Sequence, residues 1–173
     1  MSAEFTESVI TELKHEGSNV HLSMVELPGV NTPQFDWNDN GFDEHPMPVP
    51  PIFQPEVAAR AIRFAAEHHR RNMWVGLPTA YTILGNRIAP AFLDWYLGKT
   101  GVDGQLTSKN APRRGSNVFT ARDADCDAGA HGAFDDQAHD RDAWSSLSMH
   151  RSALLGAVGV AAGIAVATWR RAS

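Results

Sequence analysis

The sequence has one cysteine, no excess of basic residues and no signal-peptide pattern, and each absence excludes a class of protein. With Cys126 alone, an intrachain disulfide and a thiolate metal cluster are excluded, which fits a reducing compartment. The formal net charge of −5 argues against nucleic acid as a partner. Residues 1–10 lack the basic region and apolar core of a signal peptide, so we expect the bulk of the chain in the cytoplasm.

The first third of the chain has the periodicity of a helix followed by a strand. Its 173 residues, 43% of them hydrophobic, are enough for one domain of ordinary size. Apolar residues recur at helical spacing over residues 4–16, and Gly17 follows as a stop. Apolar and polar residues then alternate over 20–27, which predicts a strand ending in the turn Pro28-Gly29. Such a turn is either an ordinary strand exit or the edge of a ligand site.

The next segment predicts a second helix and strand. Several prolines in 36–53 favour extended chain, because proline cannot continue a helix or sit in a central strand. Apolar residues at helical spacing predict a helix over 55–69. A short strand over 73–79 and a helix over 80–99, broken at Pro90, complete the pattern. The order of elements predicts an α/β fold, the C-terminal part of a Rossmann-like parallel sheet with flanking helices.

Beyond residue 99 the periodicity disappears and the composition changes twice. Gly, Asp, Ser and Asn dominate residues 100–150, which indicates a polar linker or tail. We therefore divide the chain into a partial Rossmann-like domain at 1–99, this linker, and an apolar C-terminal segment with a basic flank at 151–173.

The C-terminal segment suggests a membrane anchor. Residues 153–169 carry no charge and lie between Arg151 and Arg170-Arg171. As a helix they would span roughly 25 Å, at the short limit for a bilayer core. Trp169 beside arginines suits a membrane interface. We therefore expect a single-pass transmembrane helix, against the alternatives of a helix buried in protein or a disordered Ala/Gly-rich tail.

Several stretches together resemble the short-chain dehydrogenase/reductase family, from the second half of its fold onward. "FTESVITEL" resembles the helix that follows the family's catalytic Tyr-x-x-x-Lys, and "VELPGVNTP" resembles its sixth strand and the cofactor turn. "QPEVAARAIRFAAEHHRR" followed by "MWVG" resembles its late helix and seventh strand. The match is closest to a bacterial subgroup with "NTPQF" and a tail like "GAHGAFDD" at 129–136.

The resemblance implies an NAD(P)-dependent oxidoreductase acting on an alcohol/carbonyl pair. The family's turn after the sixth strand packs against the nicotinamide end of NAD or NADP. Carried over, the cofactor-binding positions are Pro28, Gly29, Val30 and Thr32, with one residue fewer than the family's common Pro-Gly-x-Val-x-Thr spacing. The resemblance also allows a homo-oligomer.

The residues that such an enzyme needs for chemistry are missing from this sequence. It has no strand followed by a Gly-rich phosphate turn, and no Tyr-x-x-x-Lys: Tyr81 is followed by Gly85, and Tyr96 meets Lys99 after three places. The chain taken alone is therefore expected to be inactive. The alternative is a non-catalytic, membrane-anchored remnant or interaction subunit.

One further cluster could be drawn as a metal site. His131, Asp135, Asp136 and His139 lie within nine residues. Asp- and Gly-rich aperiodic sequence is more typical of a solvated tail, so we assign no metal ligand and no catalytic residue.

Overall fold

The computed structural model describes residues 2–111, 118–121, 127–151 and 156, and has an α/β fold with parallel sheets. The helices are α1 Ser2–His15, α2 Gln34–Trp37, α3 Pro55–Glu67, α4 Leu77–Ile88, α5 Pro90–Thr100 and α6 Ala143–Met149. The strands are β1 Met24–Glu26, β2 Gly29–Val30, β3 Glu44–Pro46, β4 Ile52–Phe53, β5 Asn72–Trp74, β6 Leu106–Asn110 and β7 Ala138–His139. Two 3₁₀ turns cover Asp103–Gln105 and Asp135–Gln137.

The strands form two parallel sheets and one antiparallel pair. β1 pairs with β5, and β4 lies between β2 and β7, all in parallel, whereas β3 and β6 are antiparallel. The single strand predicted over 20–27 is therefore shorter and stops at Glu26. After Leu27 and Pro28 the chain enters the second sheet as β2. Proline has no N–H to donate to a ladder, which suits it to the passage between sheets.

Helix α3 supplies half of the buried core cluster. Pro55 occupies its first turn, where the missing N–H costs nothing. Its apolar face packs against β4, β5 and the residue after β5, and the buried members of this cluster are Phe53, Val57, Ala61, Ala65, Met73 and Val75. Small alanines on α3 allow the helix to lie close to the strands.

The helices predicted from periodicity are confirmed. α1 and α3 cover the two amphipathic stretches, and the break expected at Pro90 separates α4 from α5. Ala89, between them, has φ −142° and ψ 64°, outside the helical region.

Residues 100–150, where the sequence indicated a polar linker, contain β6, β7 and α6. Asp142 caps α6 by accepting hydrogen bonds from the backbone N–H groups of Trp144 (3.1 Å) and Ser145 (2.9 Å). The same carboxylate accepts from the N–H of Gly76, 2.8 Å away, at the start of α4. Polar contacts of this kind help to attach residues of this segment to the rest of the fold.

The predicted fold class is wrong in its C-terminal transmembrane helix. No helix in the described part of the chain is long and apolar enough to cross a bilayer. The longest, α1, has 14 residues and carries several charges. Residues 153–169 themselves lie, apart from Gly156, outside the described residues. The predicted single-pass localisation is withdrawn with the helix.

A buried side-chain amide joins the turn after β2 to the distant 129–136 segment. Asn31, 0% exposed, donates from Nδ2 to Asp135 Oδ1 at 2.8 Å and to Gln54 Oε1 at 3.2 Å. Its Oδ1 accepts from the N–H of Phe134 at 3.1 Å. Gln54 Nε2 donates to the same Asp135 oxygen at 3.0 Å. Three segments far apart in sequence therefore share one hydrogen-bond network.

Gly132 is the point of closest approach in this network. Its N–H donates to the backbone oxygen of Asn31 at 3.3 Å. A Cβ at this position would lie 2.5 Å from the Thr32 backbone oxygen and 2.7 Å from Asn31 Oδ1. Only glycine fits here without moving the turn.

His131 extends the network to the start of α3. Its Nδ1 lies 3.0 Å from Asp135 Oδ1, and its Nε2 lies 2.9 Å from Glu56 Oε1. Hydrogen bonds to Asp135 and Glu56 raise the pKa of His131 above its ordinary value. The pKa values of Glu56 and Asp135 are lowered in turn, chiefly by the hydrogen bond from His131. All three side chains reach solvent, so screening limits what these ion pairs contribute.

Gly132→Ala should lower the free energy of unfolding by about 1–3 kcal/mol, because the added methyl group overlaps backbone and amide oxygens. Urea denaturation followed by circular dichroism measures the change. Gly41→Ala is the matched control, since a Cβ there meets nothing within 4 Å. Equal stability of the two variants would show that the approach of Gly132 to Asn31 is not as tight as described.

The His131 cluster should make stability depend on pH in a defined direction. A raised pKa means that the contribution of His131 is complete below about pH 6.5 and is lost as pH rises through the folded-state pKa. The pKa values of Glu56 and Asp135 are lowered from 4.5 and 3.8. The stability that these carboxylates contribute is therefore complete above those pH values and is lost as the pH falls through their folded-state pKa values.

We therefore expect the difference in melting temperature between the wild type and His131→Gln to be larger at pH 5.5 than at pH 8.5. His15→Gln, at the end of α1, controls for the loss of a histidine as such. A His131→Gln difference that stays constant between these pH values would contradict the ion pairing of this side chain.

Candidate functional site

The turn between the two parallel sheets is the candidate site, and glycine is required where it passes the Pro-rich segment. Gly29 begins β2 opposite Ile52. A Cβ on Gly29 would lie 2.4 Å from the backbone oxygen of Val49. Gly76 has φ 78°, which favours glycine, and a Cβ there would lie 3.3 Å from the Pro28 side chain. The turn is thus held between the extended segment and the start of α4.

The structure brings the four sequence-predicted contact residues to one pocket. Pro28, Gly29, Val30 and Thr32 all line a cavity of about 580 Å³. The opposite wall comes from the extended segment before β4 and from α3. A volume of this size is typical of small-molecule sites.

Within this turn, the structure separates the groups available to a ligand from those already used. Asn31 is committed: its N–H donates to the backbone oxygen of Phe53 at 2.9 Å, and its side chain holds Gln54 and Asp135. The hydroxyl of Thr32 makes no hydrogen bond to the described residues, and Thr32 is half-buried. Within the turn itself, Thr32 therefore offers a polar side chain that a ligand in this pocket can engage.

A second pocket lies against the same turn. It has a volume of about 620 Å³, and it is formed by the turn, the Pro-rich segment and the helices α4 and α5. Pro28 and Gly29 line both pockets, so the turn forms a wall that they share. Tyr81 and Tyr96 line the second pocket from the two helices.

Glu26, at the end of β1, is a functional candidate that the sequence analysis missed. It lines the second pocket, and its Oε2 is buried without a hydrogen-bond partner among the described residues. Burial raises the pKa of Glu26, while a backbone hydrogen bond and the charge of Arg87 oppose the rise. The available signal was a lone charge in the apolar run "MVEL" directly before Pro28.

Both tyrosines of the chain are partly exposed, and the lysine that follows Tyr96 contacts a tryptophan ring. Tyr81 and Tyr96 are 59% and 49% exposed. The ammonium group of Lys99 lies 4.5 Å from the centroid of the Trp95 ring, as a cation–π contact. This lysine is therefore placed against the indole of Trp95.

The four residues of the possible metal cluster do not converge on one point in the structure, although His131 and Asp135 are in contact. His131 pairs with Glu56 and Asp135, whereas the ring of His139 packs 5.7 Å from that of Phe53. Among the described residues, no three His, Cys, Asp or Glu side chains are grouped so as to hold a metal ion.

Comparison with known proteins gives one distant relative. The chain is 28% identical over 119 residues to YxnA of Bacillus subtilis (strain 168), which is named an uncharacterized oxidoreductase. The matched region is 68% of this chain and 33% of the relative, so the chain spans about a third of the length of the curated relative it matches. No protein-family model matches the sequence. No solved structure matches it either.

Proposed function

We propose that this chain forms the nicotinamide-facing part of an NAD(P)-dependent oxidoreductase of the short-chain dehydrogenase type, acting on an alcohol/carbonyl pair. The observation that carries the proposal is the convergence of Pro28, Gly29, Val30 and Thr32 on one pocket of about 580 Å³. The similarity to an uncharacterized oxidoreductase supports the reaction class only in general terms.

The residues of this pocket fit one end of a dinucleotide. The nicotinamide carboxamide has both donors and an acceptor, and the Thr32 hydroxyl, with no partner among the described residues, can donate to it or accept from it. The missing Cβ of Gly29 lets the turn pass close to the backbone oxygen of Val49, which forms part of the opposite wall. When bound, the nicotinamide would supply the hydride acceptor or donor. This sequence has no strand-linked Gly-rich turn for the pyrophosphate, so we expect the chain alone to bind weakly and to lack turnover.

A second candidate is a non-catalytic interaction subunit. The observation that favours it is the apolar surface of α4 and α5, where Ile88 is 82%, Phe92 63% and Trp95 56% exposed. Large apolar surface of this kind is typical of contact regions. The sequence also lacks a Tyr-x-x-x-Lys motif.

Nuclear magnetic resonance on the ¹⁵N-labelled chain distinguishes the two candidates. Nicotinamide mononucleotide and AMP represent the two halves of the cofactor. We expect the nicotinamide half to shift the amide signals of Gly29, Val30 and Thr32, with a Kd of about 1 mM or weaker, and AMP to leave them unchanged. Absence of these shifts, or shifts confined to other parts of the chain, would overturn the cofactor proposal.

A hydroxyl deletion tests the assigned contact. Thr32→Val should weaken binding of nicotinamide mononucleotide by about threefold to tenfold, the loss expected for one hydrogen bond. Thr11→Val, in α1, is the matched control, because the Thr11 hydroxyl bonds only its own helix, to the backbone oxygen of Glu7. Equal affinity of the two variants would assign the contact to another group.

A further inference from the structure

The pocket between the turn and helices α4 and α5 combines mostly apolar walls with a buried acceptor. Its volume of about 620 Å³ suits a ligand with one or two rings. Pro28 and Pro50 form one side, and Ile83, Tyr96 and Leu97 contribute to the helical side. Leu97 is 44% exposed, so apolar surface here is left for a ligand to cover.

Glu26 is the acidic residue that lines this pocket. Its Oε2 is shielded from solvent and accepts no hydrogen bond from the described residues. Buried acceptors are normally satisfied, and one that is not marks a strained position or a place where a water, an ion or a ligand binds. Because Glu26 lines the pocket, a ligand there can reach this carboxylate.

We propose that this pocket binds the substrate of the oxidoreductase, that the substrate is a bulky apolar or aromatic alcohol, and that Glu26 accepts the hydrogen bond from its hydroxyl group. The identification of the ligand as a substrate rests on the proposed function, whereas the binding of an alcohol in this pocket does not. The pocket shares Pro28 and Gly29 with the proposed nicotinamide pocket, so both ligands would meet at one turn.

The chemistry of the acceptor fixes which partner of an alcohol/carbonyl pair binds more tightly. An ionised carboxylate only accepts hydrogen bonds, and an alcohol can donate one. The matching ketone has no donor, so its carbonyl oxygen would face a carboxylate oxygen. Glu26 is thereby a specificity-determining residue that favours the alcohol over the ketone.

Direct binding to the full chain, without any dinucleotide, tests this assignment. The probes are 1-(2-naphthyl)ethanol and 2-acetonaphthone, which share the same ring system, at pH 8. Titrations followed by naphthyl fluorescence should give about tenfold or more tighter binding for the alcohol, the ratio expected for one hydrogen bond to a charged acceptor. Equal affinity for the two probes, or no binding of either, would overturn the proposal.

Three variants locate the effect. Glu26→Gln, whose amide can donate as well as accept, should bring the alcohol-to-ketone ratio close to one. Glu12→Gln, an exposed carboxylate of α1, is the matched control and should keep the wild-type ratio. Tyr96→Ala, which removes a half-exposed part of the pocket wall, should weaken binding of both probes alike and keep the ratio, which remains measurable if Glu26→Gln fails to fold. A wild-type ratio in Glu26→Gln, or a ratio that changes in Tyr96→Ala, would contradict the role of Glu26.

The outcome is separable from that of the cofactor proposal. An alcohol preference without shifts from nicotinamide mononucleotide would support the pocket and reject the cofactor. Shifts at the turn without an alcohol preference would reject the pocket and leave the cofactor proposal standing.

Discussion

The side-chain amide of Asn31 is the constraint on which the rest of the site depends. It is fully buried, and it places its donors and its acceptor on Gln54, Asp135 and Phe134, so that three distant segments meet at one residue. Each of these bonds is worth about 1 kcal/mol net, but leaving a buried donor or acceptor without its partner costs more than that. The turn at the start of β2 is therefore fixed by the hydrogen bonds of Asn31. Its Pro28-Gly29 part is left to line two pockets.

Residues 28–32 both hold the fold together and line the pockets, which explains why the turn tolerates so little change. Gly29 passes Val49, and Gly132 passes Thr32, both at distances that exclude a side chain. Asn31 is used entirely by the fold. What remains for a ligand is the hydroxyl of Thr32 on one side and the carboxylate of Glu26 on the other, each at the wall of a separate pocket.

Local periodicity predicted the helices and could not predict the contacts that hold the turn. α1, α3 and the α4–α5 pair follow from apolar spacing and from Pro90, because the signal for each lies within the element itself. β7 has two residues in an aperiodic, Asp-rich segment, and it exists through its pairing with β4. The bond between Asn31 and Asp135 spans 104 residues, so no local pattern reveals it. Asn31 lies in the stretch "NTPQF" and Asp135 in "GAHGAFDD", so the two stretches noted in the sequence contact each other in the structure.

The candidate site was predictable only in part for the same reason. Family resemblance pointed to Pro28, Gly29, Val30 and Thr32, and the fold gathers them at one pocket. The resemblance gave no role to Glu26. This carboxylate lines a pocket whose other wall is formed by α4 and α5, more than 50 residues later in the chain. The assignment of the first pocket to a cofactor and of the second pocket to a substrate stays a proposal.

A double-mutant cycle between Asn31 and Asp135 tests the central constraint most directly. Unfolding free energies from urea denaturation are compared for the wild type, Asn31→Ala, Asp135→Ala and the double variant. A coupling energy of about 1–3 kcal/mol is predicted, because removing either partner leaves the other unsatisfied at the contact. Additivity of the two single changes within about 0.5 kcal/mol would contradict the account, since it would mean that the turn and the 129–136 segment are not joined through this amide.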